Sequence, residues 1–302
     1  MSEAQALRSF RVADFDLGDL LARKADAGST VSVVLPARDE AATVAGVVAA
    51  FAPLRDAGLV DELLVVDSFS TDDTARRAAE AGADVVHVAD VLPAVPAVPG
   101  KGEALWRGLL ATTGDLVAYC DTDVLDAGAH FVVGLLGPML HHPEVELVKG
   151  FYRRPIVGDD GSVEEHGGRV TELTARPWLS LYRPELARFV QPLAGEWAGR
   201  RSLFESLPYP VGYGVEIAVL LDTHARRGIG AMAQCDLGVR THRHHSQQRL
   251  GVMAAQVLAA AGRRAGLDPA AGTMHQFDVD HHTPLDTELP LLERPPAATA
   301  RR

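Results

Sequence analysis

Two aspartates one residue apart, Asp121 and Asp123, stand directly after the apolar run 116–119. Residues i and i+2 of an extended segment share a face, so both carboxylates can reach one divalent cation, directly or through water. Carboxylate oxygens and nucleotide phosphates are the usual ligands of protein-bound Mg²⁺. Because Asp is also common in turns, a solvated strand end is the competing interpretation of this motif.

Polar groups also follow other predicted strands, or open predicted helices, in the first half of the chain. These groups are Pro36-Ala37-Arg38-Asp39-Glu40, Asp67-Ser68 and Gly100-Lys101-Gly102. The carboxyl ends of parallel strands meet at one edge of an α/β sheet, where ligands bind. Taken singly, Glu40 and Asp67 are more typical of helix caps, and Lys101 of a solvated surface. The glycines beside Lys101 would let a phosphate approach closely, and the set together predicts a nucleotide pocket.

Strand and helix patterns alternate over about 90 residues, and this alternation must position those groups. Predicted strands occupy residues 31–36, 62–67, 84–88 and 116–120, each with a helical pattern after it. The alternation predicts an α/β fold with a right-handed, mostly parallel sheet flanked by helices. Beyond Asp123 the pattern loosens. There we expect shorter elements folded over the sheet edge, a polar loop at 158–168 and a frayed tail from Pro290.

Composition limits the classes of function. The chain has 302 residues, enough for one large domain or two closely joined ones, and a net charge of -11. That charge argues against a nucleic-acid binder, whose affinity comes from neutralising phosphates. No apolar stretch reaches membrane-spanning length, and the first residues lack a signal-peptide pattern, so we expect no membrane partner and a cytoplasmic location. Cys120 and Cys235 are predicted to be buried thiols.

Eight segments together resemble the GT-A nucleotide-sugar glycosyltransferases, and most closely the actinobacterial glucosyl-3-phosphoglycerate synthases, over roughly residues 15–268. The segments are 33–37, 67–74, 99–106, 121–123, 151–155, 167–173, 212–217 and 238–243. The resemblance implies a Rossmann-like GT-A fold with a C-terminal acceptor-binding portion. It also implies a retaining, metal-dependent transfer of glucose from UDP-glucose to the 2-hydroxyl of 3-phosphoglycerate, by a homodimer. On this basis we divide the chain into an N-terminal extension (1–30), a nucleotide-sugar-binding half (31–145), an acceptor-binding half (146–268) and a partly flexible tail (269–302).

The resemblance also implies roles for residues. Donor-binding residues are Pro36, Ala37, Glu40, Ser68, Lys101, Asp121 and Thr122. Asp123 and His242 would hold Mg²⁺ or Mn²⁺; imidazole favours the latter. Glu216 would accept hydrogen bonds from the donor glucose and act with Lys101 and Asp121 in catalysis. Without the resemblance, His242 would be interpreted as a surface histidine and Glu216 as a helix N-terminal charge.

The acceptor carries a carboxylate and a phosphate, so it requires basic partners. Gly168, Arg169 and Thr171 are placed for this, since Gly admits the anion, Arg offers two parallel donors and a helix start attracts negative charge. Arg240 would be a second clamp, and His244 an acceptor contact. The competing interpretation of Arg169 is an ion pair with a nearby Glu.

Three positions depart from the family pattern. Phe69 stands where we expect a small residue, usually Gly. His244 stands where we expect Asn, and Arg38-Asp39 replaces an apolar-Asn pair. The last two bear on acceptor and donor choice more than on the fold.

Three alternatives remain from the sequence. One is an inverting GT-A transferase acting on another acceptor, such as a polyprenyl phosphate. Another is an inactive nucleotide-sugar-binding protein. A sugar-1-phosphate nucleotidyltransferase fits less well, because its Gly-rich first loop is replaced here by residues 36–40.

Overall fold

The computed structural model of the chain describes residues 6–153, 155–157, 163–165, 168–240, 246–278 and 282–300, with the backbone alone at 155–157 and 163–165. The strands are β1 (Arg8–Arg11), β2 (Val31–Ala37), β3 (Glu62–Asp67), β4 (Asp84–His87), β5 (Leu116–Tyr119), β6 (Leu147–Arg153), β7 (Pro155–Val157), β8 (Val163–Glu165), β9 (Trp197–Arg200), β10 (Tyr209–Pro210), β11 (Met232–Val239), β12 (Thr273–Asp278), β13 (Thr283–Glu288) and β14 (Glu293–Arg294). The α-helices are α1 (Leu17–Ala27), α2 (Val44–Asp56), α3 (Thr74–Glu80), α4 (Lys101–Ala111), α5 (Ala129–His141), α6 (Arg176–Tyr182), α7 (Arg201–Phe204), α8 (Val215–Arg227), α9 (Gln247–Arg263) and α10 (Ala297–Ala300).

Eight strands form one sheet in the order β1-β11-β6-β9-β5-β2-β3-β4. All neighbouring pairs are parallel except those of β9, which runs antiparallel to both β5 and β6. The predicted mostly parallel α/β architecture is therefore confirmed. Strands from both sides of residue 145 form this one sheet, so the two predicted halves share one scaffold.

The central strands are buried on both faces, which explains their nearly unbroken apolar sequences. In β2, Val33 and Leu35 belong to the hydrophobic cluster that includes α1, α2 and α5, while Val34 belongs to the cluster that includes α4 and α8. Consecutive parallel strands are joined by right-handed crossovers that usually contain a helix. These helices cover the faces of the sheet.

The reversed strand β9 determines what reaches the ligand edge. In the parallel strands, the carboxyl end arrives at that edge; in β9, the amino end arrives instead. Glu196, directly before Trp197, therefore lies among the strand ends that carry Asp121 and Arg240. Strand β9 was not predicted, because Trp197-Ala198-Gly199-Arg200 is only four residues long and contains a glycine.

Both termini of the described chain differ from expectation. Residues 8–11 of the predicted extension form the edge strand β1, which pairs with β11. The prediction of a frayed tail from Pro290 is wrong for the described residues, because β14 pairs with β10 and Ala297 is buried. Arg294 also donates to the buried carboxylate of Glu103 at 2.6 Å. Tertiary contacts override the Pro- and Ala-rich composition that suggested fraying.

Two smaller expectations are also resolved by the structure. Cys120 and Cys235 are free, buried thiols as predicted, and burial raises the pKa of Cys235 to about 12. Within the described ranges, no helix combines the length and apolar character needed to cross a bilayer.

Candidate active site

Lys101 joins two carboxylates from different elements at the carboxyl edge of the sheet. Its ammonium Nζ lies 2.6 Å from Asp121 Oδ1 and 2.7 Å from Glu216 Oε1. Lys101 is the first residue of α4, Asp121 follows the end of β5, and Glu216 stands in the first turn of α8. The three residues predicted to be catalytic are thus brought into direct contact.

The lysine in this cluster is a fixed cation. Burial alone lowers the pKa of Lys101, but Asp121 and Glu216 raise it well above the ordinary value of 10.5. An ammonium has three donors, and two of them are used here. Lys101 therefore stays protonated at neutral pH and is unsuited to act as a base.

The glycines around Lys101 have a packing role that the sequence did not reveal. A Cβ on Gly100 would lie 2.1 Å from the carbonyl oxygen of Val211, and one on Gly102 would lie 1.8 Å from that of Pro210. The N–H of Glu103 donates to the same Val211 oxygen at 3.0 Å. Both glycines are thus required for α4 to begin against the backbone that follows β10, besides any part in phosphate approach.

A second cation, Arg240, links the two aspartates of the Asp-x-Asp motif. Its Nη2 donates to Asp123 Oδ1 at 2.8 Å and lies 3.5 Å from Asp121 Oδ2. The Arg240 side chain is only 3% exposed. These protein carboxylates are partners that the prediction of an acceptor clamp did not anticipate.

The other end of the same guanidinium is held by two buried residues that the sequence analysis missed. Arg240 Nη1 lies 2.8 Å from Glu196 Oε1, donates to Glu196 Oε2 at 2.9 Å and also donates to the hydroxyl of Tyr152. Glu196 is fully buried and Tyr152 is nearly so. Burial raises the pKa of Glu196, while Arg240 opposes that rise by favouring the ionised carboxylate.

Strand β6 itself carries a buried lysine. Lys149, in the middle of β6, donates to the carbonyl oxygen of Ala194 at 2.7 Å and lies over the ring of Trp197. Burial lowers its pKa to about 7. A charged residue inside the apolar sequence of β6 was the signal that could have identified it, since buried lysines are rare.

Gly195 leaves room for the Asp121 carboxylate. A Cβ at residue 195 would lie 2.0 Å from Asp121 Oδ2. Real Cβ atoms do not approach an oxygen that closely, so only glycine at this position lets Asp121 keep its contacts with Lys101 and Arg240.

The predicted donor pocket is formed by loops that are bonded to one another. Thr122 Oγ1 donates to the carbonyl oxygen of Pro36 at 2.8 Å, which joins the ends of β5 and β2. The N–H of Glu40 donates to Thr74 Oγ1 at 2.8 Å, joining the loops that follow β2 and β3. Ala37 and Ser68 are buried at the ends of the same strands. The predicted donor residues therefore share this sheet edge, and their contact with a nucleotide stays a prediction.

Two departures from the family pattern adopt unusual backbone conformations in these loops. Phe69 has φ 60° and Asp39 has φ 55°. That left-handed region is uncommon for residues with bulky side chains. The Asp39 carboxylate accepts from the N–H of Thr71 at 2.7 Å, and the Phe69 ring meets His87 edge-on with centroids 5.2 Å apart. These contacts offset the strain that a glycine would avoid.

The remaining predicted residues belong to two other segments, one of which lies outside the described residues. Gly168, Arg169 and Thr171 stand at the start of the helical turn 171–175, which packs against α9. Arg169 is exposed there. His242 and His244 lie outside the described residues, as does much of the predicted loop at 158–168, so the structure does not test the Asp123–His242 pairing.

The chemistry of the cluster suits a divalent metal ion. Four carboxylates (Asp121, Asp123, Glu196 and Glu216) face two permanent cations, so negative charge is in excess. Asp123 is the most exposed carboxylate of the four, with 29% of its side chain accessible. Among the residues described, no three metal-ligating side chains converge. A small protein ligand set of this kind fits a metal that is also held by nucleotide phosphates.

Comparison with known proteins identifies the relatives of this architecture. The model of Glycosyl transferase family 2 matches residues 32–205. Glucosyl-3-phosphoglycerate synthase of Mycolicibacterium smegmatis is 50% identical over 287 residues, which cover 94% of each chain. The chain belongs to the glucosyl-3-phosphoglycerate synthases of glycosyl transferase family 2.

Solved structures of this family extend the similarity to three dimensions. A crystal structure of the Mycobacterium tuberculosis synthase with Mn²⁺, UDP-glucose and phosphoglyceric acid is 45% identical, with a TM-score of 0.90, and the match covers 99% of this chain and 100% of that chain. A crystal structure of that synthase with Mg²⁺ and UDP is 46% identical, with a TM-score of 0.89 over 98% and 99% of the two chains. The predicted GT-A fold and the predicted family are thereby confirmed.

Proposed function

We propose that this protein is a retaining glycosyltransferase that moves glucose from UDP-glucose to the 2-hydroxyl of 3-phosphoglycerate. The observation that carries the proposal is the contact of Lys101 with both Asp121 and Glu216, next to Asp123, at the ligand edge of a sheet shared with the family. Mg²⁺ or Mn²⁺ is the cofactor, as in the solved complexes of the relative. Homodimer formation and a cytoplasmic location remain part of the proposal.

Donor binding uses the loops at the ends of β2, β3 and β5. Pro36, Ala37, Glu40 and Ser68 line the uridine side, and Thr122 fixes the edge by its bond to Pro36. Asp123, with His242, holds the metal ion, which when bound supplies positive charge to the donor diphosphate. Lys101 adds a permanent positive charge beside that diphosphate. Such preorganised charge stabilises the leaving group most strongly in the transition state.

Orientation of the two sugars is assigned to other residues. Glu216 accepts from Lys101 through Oε1, and its carboxylate positions the hydroxyls of the donor glucose. Gly168, Arg169 and Thr171 bind the acceptor anion at a helix start, with Arg240 and His244 as predicted acceptor contacts. Holding both reactants converts a bimolecular encounter into an oriented one.

The acceptor proton passes to a diphosphate oxygen of the donor in this proposal. Lys101 is a permanent cation, and Lys149, whose pKa is about 7, is buried and bonded to Ala194. Lys101 therefore keeps its proton at neutral pH, and the burial of Lys149 separates its amine from a bound substrate. A front-face substitution with retained anomeric configuration agrees with this arrangement.

The test is turnover of UDP-glucose with 3-phosphoglycerate in the presence of Mn²⁺, with the anomeric proton of the product followed by NMR. We expect an α-linked product, and loss of activity with EDTA or after Asp123→Ala. A β-linked product overturns the retaining mechanism. Transfer to a polyprenyl phosphate but not to phosphoglycerate overturns the acceptor, and nucleotide-sugar binding without any turnover supports the inactive alternative.

A further inference from the structure

The buried residues Glu196 and Tyr152 meet the functional cluster at Arg240. Glu196 is fully buried and Tyr152 is 2% exposed, so neither side chain faces the space in which substrates bind. Both bond the same guanidinium nitrogen, Nη1, while the opposite nitrogen, Nη2, reaches Asp123 and Asp121. The guanidinium thus spans a buried carboxylate on one side and the Asp-x-Asp motif on the other.

We propose that Glu196 and Tyr152 are positioning residues that hold Arg240 in line and thereby set how strongly Asp123 binds the metal–nucleotide complex. This inference rests on the proposed function. It assigns a role to two residues that are buried behind the Arg240 guanidinium.

Competition for the charge of Arg240 provides the physical reason. A guanidinium shared between Glu196 and Asp123 neutralises Asp123 only in part. If Glu196 loses its charge, the positive charge of Arg240 falls on Asp123 and Asp121 alone. A divalent cation approaching Asp123 must then overcome more repulsion, because Coulomb interactions are strong where water is excluded.

Tyr152 helps to orient Arg240 through both its hydroxyl and its ring. Its hydroxyl accepts from Arg240 Nη1, the same nitrogen that donates to Glu196 Oε2. The guanidinium carbon also lies 5.1 Å from the centre of the Tyr152 ring. Removing only the hydroxyl therefore loosens the orientation of Arg240 without changing the charge of the cluster.

The strands explain why these residues meet. Tyr152 lies near the carboxyl end of β6, Arg240 follows β11, and Glu196 precedes the reversed strand β9. The N–H of Gly150 donates to the carbonyl oxygen of Glu196 at 2.8 Å, and Gln191 Nε2 donates to that of Tyr152. Their backbones are fixed by the sheet, so the pair is a rigid support for the guanidinium.

The test measures UDP binding by calorimetry, with Mn²⁺ and separately with EDTA, for the full chain. We expect Glu196→Gln to reduce the Mn²⁺-dependent affinity by about 10- to 100-fold, the range typical of partners of metal ligands, and Tyr152→Phe to reduce it by a few-fold. UDP affinity in EDTA should change by less than about two-fold in both, whereas general damage to the fold lowers both affinities. As a matched control, Asp222→Asn removes another carboxylate paired with an arginine, Arg264 at 2.7 Å, and should alter neither affinity.

The outcomes separate this inference from the proposed function. If Mn²⁺ does not change the UDP affinity of the wild-type protein, both the metal site and the inference are overturned. Normal Mn²⁺ dependence in the wild type and in Glu196→Gln overturns the inference alone. If Glu196→Gln does not fold, Tyr152→Phe decides the question, and an unchanged Mn²⁺-dependent affinity in that variant overturns the inference.

Discussion

Lys101 Nζ and Asp121 Oδ1 lie 2.6 Å apart although one residue begins a helix and the other ends a strand. The contact fixes the start of α4 against the end of β5, and Glu216 completes it from α8. The lysine charge is therefore held in place before any substrate arrives. A charge that is already in place does not have to be reoriented during the reaction. This preorganisation is the main source of electrostatic catalysis.

Replacement of Lys101 by Met should lower kcat/KM by roughly 10²- to 10³-fold, because the donor diphosphate loses a fixed positive charge. Steady-state kinetics with UDP-glucose and 3-phosphoglycerate measures the effect. Lys24→Met is the control, since Lys24 is also largely buried and pairs with Asp61 at 2.8 Å away from the candidate site. A Lys101→Met enzyme that keeps more than about a tenth of wild-type kcat/KM would contradict this role.

Replacement of Gly195 by Ala should displace the Asp121 carboxylate, because the added Cβ would lie 2.0 Å from Asp121 Oδ2. We expect a loss of roughly 1–3 kcal/mol in the free energy of unfolding, as for other overpacked sites, and a large loss of activity. Gly46→Ala is the matched control: its Cβ would meet nothing within 4 Å in α2, and helix propensity predicts a slight gain in stability. Near-normal activity of Gly195→Ala would show that Asp121 need not keep its position.

The pH dependence of stability should report Lys149. Its pKa is about 7 in the folded protein against an ordinary value of 10.5, so above pH 7 the unfolded chain holds a proton that the folded chain has released. Wild-type stability relative to Lys149→Met should therefore be lowest below pH 7 and should rise between pH 7 and 10.5, by at most about 1.4 kcal/mol per pH unit.

Urea unfolding of wild type and Lys149→Met at several pH values gives this difference directly. Groups that titrate equally in both proteins cancel, so the difference isolates the buried ammonium. A constant difference across the range would mean that the folded protein keeps Lys149 protonated throughout.

Removal of Arg294 should destabilise the fold through Glu103. The Glu103 carboxylate is fully buried and accepts from Arg294 at 2.6 Å and from Arg107 at 2.7 Å. Breaking a buried pair on one side leaves an undercompensated charge, so we expect Arg294→Met to cost about 3 kcal/mol in the free energy of unfolding.

The control for this prediction is Arg76→Met. Arg76 pairs with Asp73 and Glu80 on an exposed helix surface, where ion pairs contribute little. Denaturant unfolding should show little change for this variant. Equal effects of the two substitutions would argue against the buried pair as the cause.

Local sequence patterns predicted the first half of the fold and the polar groups at its strand ends. The strands at 31–37, 62–67 and 116–119 are mainly apolar segments, and helical patterns follow them, so both the strand and the helix signals were present in the sequence. Strands β1 and β9 were missed because their four residues each carry arginine or glycine and have no period to detect. Only pairing with distant strands makes them part of the sheet.

The same limit applies to the candidate site. Lys101, Asp121 and Glu216 were predicted and are in contact, whereas Glu196 and Tyr152 were not identified. Their role depends on a reversed strand and on an arginine 44 and 88 residues away, respectively. Long-range partners of a buried charge leave no local pattern in a sequence, although Lys149 within the apolar β6 was a visible exception.

Packing of residues 293–297 beneath α4 has a consequence for the order of events on the ribosome. Arg294 is translated 191 residues after Glu103, its partner on the helix that begins with Lys101. Trp106, on the same helix, donates to the carbonyl oxygen of Pro295. A nascent chain can assemble the central strands earlier, but Glu103, already paired with Arg107, gains its second counter-charge only after Arg294 has been made. Full anchoring of the helix that presents Lys101 therefore follows the synthesis of residues 294 and 295.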